Sequence, residues 1–487
     1  MMTAAGLTSL NGSVVSTALP EIVSEIGGGG TKTYTWVITA YLLTSTACTP
    51  LFGKLSDLYG RKRLTLISIW IFLLGLVFCA TAPNMPLLVA ARAFIGIGSG
   101  GIMAMTFVVI ADIVAPRDRG RYVGAFTSVF AISGVLGPLI GGVIVDNFSW
   151  RWIFIINIPF GLVALGMVQK YLRLPMTRRD TSIDVIGAIL IVGGTGSLVL
   201  TISWISGEYG WTSQPTLIMG CISLMLISGL FLWEPHAENP MLPLHLFKNH
   251  TVQTMVSMTT LISASMTLVS TFMPLFLQAV TGISPTNSGL LIVPMMLGLT
   301  FSSTLVGRRV TATGHYRKWP IIGTVFGALG LTMVSFIARS GFSIGIGLVG
   351  MAFIGFCAGA TFPTSTTAIQ NSVDIRDLGV ASSMAQLCRS LGGVLSVAIF
   401  GSILNAQLAL RVDPKLLRAP RKIDALPEPS RTEVINAMLD GITTIFRYAI
   451  PLMVIAFLIS TRVKELPLRT HAAYQDSDSA SNDANGN

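Results

Sequence analysis

Fourteen stretches of about 20 predominantly apolar residues, set apart by Gly, Pro and clusters of charge, constrain this chain more than any other feature. They lie near 3–19, 34–52, 64–82, 86–112, 122–145, 152–172, 183–206, 214–233, 251–279, 287–306, 320–338, 342–370, 380–404 and 441–461. A run of this length crosses the hydrocarbon core as a helix, because every backbone N–H and C=O inside lipid must be satisfied within the segment. The composition agrees. Charged residues make up 11% of the 487 positions, less than half the roughly 25% of soluble domains. Apolar residues make up 52%, and mean hydropathy is +0.70. So few charges cannot cover a water-exposed surface, which excludes a soluble enzyme, a disordered scaffold and a disulfide-rich secreted domain. The expected fold class is an all-α polytopic membrane protein.

Net charge is +10, and the basic residues are unevenly placed. With the N-terminus cytoplasmic, the short inner loops hold Lys54, Arg61, Lys62 and Arg63; Arg117, Arg119 and Arg121; Lys170, Arg173, Arg178 and Arg179; and Arg308, Arg309, Arg317 and Lys318. The long outer loop 405–440 is an exception, as long loops often are. Both termini are therefore expected in the cytoplasm. The five cysteines are singly spaced within apolar runs and read as packing residues. All five histidines fall in predicted loops or the tail, so nothing suggests intramembrane metal chemistry, and no cofactor is expected. No G-x4-G-K-[ST] loop is present to bind ATP.

The chain repeats itself. Arg117-Asp118-Arg119-Gly120 recurs as Arg376-Asp377-Leu378-Gly379, and the same offset carries Gly134-Val135-Leu136 onto Gly393-Val394-Leu395 and Gly96 and Gly100 onto Gly355 and Gly359. A duplicated bundle implies two packed halves with a pathway between them. The expected organisation is a six-span half over 1–172, two linking spans with cytoplasmic loops over 173–250, a second six-span half over 251–461 and a disordered cytoplasmic tail over 462–487.

Several motifs carry more than packing information. The loop after span 2 reads Gly53-Lys54-Leu55-Ser56-Asp57-Leu58-Tyr59-Gly60-Arg61-Lys62-Arg63, with a degraded copy at Gly307, Gly314, Arg317 and Lys318. Span 4 holds Arg92 followed by Gly96, Gly98 and Gly100. Span 5 holds Gly134, Gly137, Pro138, Gly141 and Gly142. Trp150-Arg151-Trp152-Ile153-Phe154 runs into Asn157-Ile158-Pro159-Phe160-Gly161, and span 1 ends Thr17-Ala18-Leu19-Pro20. Together these resemble the major facilitator superfamily, and within it the fourteen-span drug:proton antiporters, most like the fungal members, over residues 7–462. The resemblance implies two six-helix halves plus two extra central helices. It implies a multi-pass efflux carrier of drugs, toxins or secreted metabolites, not an enzyme, acting as a monomer on a small-molecule substrate in the lipid bilayer, with no nucleic acid and with protons as a possible partner. The plasma membrane is favoured over the vacuole. The first span begins almost at Met1, a start expected to be shorter than the ancestral one.

Carried over residue by residue, Gly53, Asp57, Gly60, Arg61 and Asp112 would gate the inner end, with Asp57 meeting the N-terminus of span 13 near Val380. Gly134, Gly137, Pro138, Gly141 and Gly142 would let span 5 pack and bend against the opposite half. Arg92 sits about six residues inside its span, roughly 9 Å deep, where an unpaired cation is costly enough to demand a role. The candidates for substrate or coupling are Asn11, Tyr41, Arg92, Ser128, Asn157, Met273, Gln278, Thr361, Gln386 and Arg389. Span 9, rich in Ser and Thr, is expected to border water or another helix.

Two departures matter. Where related sequences carry an aspartate in span 1, this chain has Asn11, which cannot exchange a proton near neutral pH. No acid lies near mid-membrane; Glu21, Asp112 and Asp146 at span ends are the remaining proton carriers. The leading expectation is an alternating-access exporter of small amphipathic organic compounds. The alternatives are a vacuolar basic amino acid transporter, a uniporter, or a non-transporting receptor. With Arg92 and Arg389 in the pool, anionic metabolites also fit.

Overall fold

The computed structural model describes residues 1–26, 31–172, 184–206, 209–237, 240–281, 291–336, 344–374, 377–409 and 430–468. Within them the helices are α1 (Met2–Ile26), α2 (Thr31–Tyr59), α3 (Arg61–Ala80), α4 (Met85–Ile113), α5 (Pro116–Asn147), α6 (Trp152–Ile155), α7 (Asn157–Tyr171), α8 (Val185–Ser206) and α9 (Gln214–Trp233). They continue as α10 (His250–Thr281), α11 (Val293–Thr313), α12 (Lys318–Ser335), α13 (Ile344–Ser372), α14 (Leu378–Ala409) and α15 (Ser430–Thr461). With α6 and α7 taken together, they fall on the fourteen expected spans, and among the described residues 11 are long and apolar enough to cross a membrane.

Local chemistry explains the boundaries. Gly60, at φ 90°, makes the reversal between α2 and α3, a backbone conformation that a side chain would strain. Asn84 caps α4 by accepting from Leu87 N at 3.1 Å. The break between α6 and α7 precedes Pro159, whose missing N–H cannot serve the carbonyl four residues back, and Asn157 donates to Ile153 O at 2.7 Å across it. Several boundaries differ from the sequence reading: α1 runs on to Ile26, α2 to Tyr59, and α5 begins at Pro116. The tenth span, expected at 287–306, is helical over Val293–Thr313, so it runs on through Arg308 and Arg309. The fourteenth begins at Ser430, inside the stretch expected to be loop. Apolar composition locates the part of a helix that lies in lipid, whereas backbone hydrogen bonding continues into water.

The repeat is structural. In the first half α4 packs on α2 through Gly96, where a Cβ would lie 2.5 Å from Tyr41 O, and through Gly100 against Ser45 O. In the second half α13 packs on α11 through Gly355 against Met295 O and Gly359 against Leu299 O. Small residues let helix backbones approach where lipid tails supply no hydrophobic drive to associate. One apolar core joins α1 to α7, and another joins α10 to α15. Between the halves, α8 packs on α9, α2 and α14, so this added helix touches both. Thr39 and Ser203 are hydrogen-bonded at 3.0 Å, and Asp184 accepts from Trp233 Nε1 at 2.9 Å.

The start of the tail is ordered. Tyr316 donates to Lys464 O and accepts from Leu466 N, both at 3.0 Å, while Asn371 Nδ2 donates to Pro467 O at 3.1 Å. The expectation of disorder from residue 462 is corrected for 462–468: Val463 is 2% exposed, and backbone groups there have partners. The rest of the predicted tail lies outside the described residues.

Candidate functional site: a cavity between the halves

The two halves meet at the end of the bundle that carries the basic loops, through a pair of related contacts. At one, α2 meets the start of α14. The Asp57 carboxylate abuts Gly379, where a Cβ would lie 2.5 Å from Oδ2, and Gly53 faces Ser383 Oγ and Gly379 O. An anion at a helix N-terminus is electrostatically favourable. Asp57 also pairs with Arg61 at 2.7 Å, and Arg61 Nε donates to Asp112 Oδ2 at 2.6 Å, which ties α2, α3 and α4 together. At the other contact, α5 crosses α11: a Cβ on Gly307 would lie 2.5 Å from Gly120 O, and one on Gly124 2.6 Å from Ser303 O. Here Arg117 donates to Thr311 O at 3.0 Å and Ala312 O at 3.2 Å, a cation at a helix C-terminus. Gln370 adds a third link from α13, donating to Phe107 O at 3.2 Å and to Ser382 Oγ at 3.0 Å.

Beyond these contacts the halves part around a cavity of about 330 Å³. Its first-half wall is Met103 and Phe107 on α4 with Phe126, Thr127, Phe130 and Gly134 on α5. The facing wall comes from α10 (Ser263, Met266, Thr267, Ser270), α11 (Met296, Leu299), α13 (Phe362) and α14 (Gln386, Arg389, Ser390). Phe107 and Phe126 meet edge to face at 5.0 Å, and Phe126 lies 6.5 Å from Phe130. Arg389 Cζ stands 4.8 Å from the Phe362 ring centre and 5.5 Å from that of Phe107, and the guanidinium donates to Gln386 Oε1. A smaller pocket of about 20 Å³ continues toward the basic end past Arg389, bordered by Ser365 and Ser382.

A second polar cluster is sealed inside the first half. Arg92, 1% exposed, donates from Nη1 to Asn11 Oδ1 at 2.6 Å and from Nε to Val37 O at 3.3 Å. Its Cζ stands 4.5 Å over the Tyr41 ring, and Tyr41 Oη is 2.8 Å from Ser99 Oγ. The guanidinium thus has an amide, a carbonyl and a ring as partners but, among the described residues, no carboxylate.

The family model of the Major Facilitator Superfamily matches residues 1–397. The chain belongs to this superfamily. Among its relatives, the efflux pump FUS6 of Gibberella moniliformis is 32% identical over 95% of this chain and 86% of its own length. The multidrug transporter protein MdtP of Bacillus subtilis is 33% identical over 86% of this chain and 76% of its own. Solved structures share the fold at 13% identity. The human organic anion transporter MFSD10 covers 94% of this chain and 97% of its own at a TM-score of 0.66, and the proton:xylose symporter XylE covers 98% and 97% at 0.66. The protein is thus a multi-pass membrane transporter.

The transporter does not bring all the expected site residues together. Gln386 and Arg389 line the cavity. Asn11, Tyr41 and Arg92 form the sealed cluster instead, because α4 turns Arg92 toward α1 and α2. Ser128 sits at the α5–α11 crossing, 3.5 Å from Ser303 Oγ. Asn157 bridges the α6–α7 break, Met273 is in the second-half core, and Thr361 is buried against Gly323. The side chains of Gln278 and Pro138 lie outside the described residues. The glycine stripe of α5 also behaves differently from expectation. Gly137 packs on Ser13 of α1 in its own half, Gly141 is buried, and Gly134 and Gly142 have nothing within 4 Å. The close approaches to the opposite half are made about three to four turns before Gly134, at Gly120 and Gly124. Sequence reading passed over Phe107, Phe126, Phe130 and Phe362, since an aromatic in an apolar run looks like core or lipid contact. The signal was spacing: Phe126, Phe130 and Gly134 recur every four residues on one helical face, as do Met103 and Phe107.

Proposed function

We propose that this transporter is a secondary active exporter that moves small amphipathic organic compounds by alternating access. The observation that carries the reading is the aromatic- and Met-lined cavity shared by both halves and shut at the basic end. With the basic loops in the cytoplasm, this arrangement corresponds to an outward-facing state, and Asp57, Arg61, Asp112, Arg117, Gly53, Gly120 and Gly124 form the closed inner gate. Rings and thioethers tolerate varied apolar bodies, which suits a broad range of cargo. The efflux-pump relatives support the direction, and the plasma membrane is the expected site. A basic amino acid carrier fits less well, because Arg389 is the charged side chain on the described cavity wall and repels a cation.

Energy coupling is the open chemical question for Asn11. Beside Arg92 it offers an amide where a proton carrier needs a carboxylate, so coupling through this cluster is not expected. The test is substrate-dependent proton movement in proteoliposomes, with a panel of lipophilic cations, aromatic carboxylates and basic amino acids. Saturable flux of an amphipathic compound without proton movement, and proton movement gained by Asn11→Asp, is the expected result. Absence of saturable flux for the whole panel would sink the exporter reading and favour a receptor. Coupling in the native protein would move the search to Glu21, Asp112 and Asp146.

A further inference from the structure

We infer that the cavity recognises an organic anion: a flat, apolar body bearing one carboxylate or sulfonate that Arg389 takes through its guanidinium. This deepens the exporter reading and rests on it for the location of the site. The cavity wall carries Ser, Thr, Gln, Met and Phe side chains and a single arginine, and no Asp or Glu is among its described residues. Elsewhere in the molecule the buried cations have partners. Arg61 has two carboxylates, Arg92 has Asn11 and Val37 O, and Arg119 donates to Val114 O at 2.9 Å and Ala111 O at 2.5 Å. Arg389 forms no ion pair among the described residues, and its side-chain acceptor there is the neutral oxygen of Gln386.

The rings of Phe362 and Phe107 hold the guanidinium in place at the junction of the large and small pockets. Rings stabilise a cation without neutralising it, so the donors not used by Gln386 remain available to a ligand. A planar fork of N–H groups matches a carboxylate or sulfonate in two-point contact. The rest of the wall then sets the body of the ligand. Phe107, Phe126 and Phe130 form a continuous aromatic face, and Met266 and Met296 oppose it from the second half. A volume of about 330 Å³ is at the small end of organic-ligand sites, large enough for a fused bicyclic ring with one charged group. Binding such an anion would neutralise the buried cation and draw on residues of both halves at once.

The experiment compares three ligands of one shape on the purified full-length protein: 2-naphthoate, 2-naphthamide and 2-naphthylmethylammonium. Radioligand binding and proteoliposome flux are measured separately. The wild type should bind the naphthoate about tenfold or more tightly than the amide and bind the ammonium least, as expected for a charge-assisted, two-point contact. In Arg389→Gln the preference for naphthoate over amide should fall to about one, and Arg389→Lys, which keeps the charge without the fork, should retain part of it. The wild-type ligand series stands even if a variant fails to fold. Preference for the ammonium, no preference among the three, or no binding of any of them overturns the anion site. Anion binding lost in Arg389→Gln but without flux would leave the site standing and overturn the exporter reading instead.

Discussion

At Arg92 the physics of a buried cation is settled by a neutral partner. The guanidinium is closed off from solvent, and Asn11 Oδ1 at 2.6 Å is its side-chain acceptor among the described residues. Asn11→Leu should therefore destabilise the protein by about 1.5–3 kcal/mol, the range for losing a hydrogen bond to a charged group. A melting curve in one detergent checks this, with an unchanged midpoint counting against it. Asp57 offers a second residue-scale test. Its charge lies against the N-terminus of α14, an interaction of about 0.3–1 kcal/mol. Asp57→Asn should lower the closed-to-open ratio roughly two- to fivefold at that free energy. Spin-label distances between positions 59 and 374, both exposed at the basic end, would report the loss.

Among the elements, α5 shows how one motif serves different neighbours. Gly134 has open space where a Cβ would go, so Gly134→Ala should leave stability unchanged or raise it by about 0.5–1 kcal/mol through helix propensity. Gly137 has Ser13 and Val14 of α1 against it, with Val14 N 3.2 Å from the Cβ position, so Gly137→Ala should lower the melting temperature. Equal effects of the two substitutions would refute this assignment of faces. Helix α10 divides similarly. Ser265 is buried and returns its hydroxyl to Leu261 O, while Ser263, Thr267 and Ser270 border the cavity and Thr259 the smaller pocket. The expectation that this polar helix borders water or another helix resolves into two faces, one for each.

For the molecule as a whole, closure includes two contacts related by the internal repeat, beside the link from Gln370 to Phe107 O. Asp57 sits at a helix N-terminus on one side, and Arg117 sits at a helix C-terminus on the other. Both oppose the same opening motion, and they lie on different helix pairs, α2 with α14 and α5 with α11. The shifts in closure free energy from Asp57→Asn and Arg117→Gln should therefore add to within about 0.5 kcal/mol in the double variant. The same spin-label pair measures all three proteins. Strong non-additivity would mean that the two contacts form one cooperative unit.

The order of helices, their number and the duplicated halves were legible in the chain because lipid admits few solutions. An apolar run of about 20 residues must be a helix, and a repeat that spans a charged loop must recur in the packing. The resemblance of the loop motif placed Asp57 near Val380 at the start of the thirteenth span, and the carboxylate lies against Gly379 there. The cavity was less legible. Arg92 and Arg389 are both arginines inside spans, and composition treats them alike. Only the rotation of α4 about its axis sends Arg92 to Asn11, and only the approach of α4 and α13 to α14 leaves Arg389 between two phenylalanines on an open wall. In an all-apolar helix the hydrophobic pattern does not distinguish lipid, core and cavity faces, so helix rotation is decided by packing between helices distant in sequence. The sequence by itself determined that this protein crosses the membrane as two related bundles. The tertiary structure alone decided which of its charges is buried with a partner and which faces the cavity.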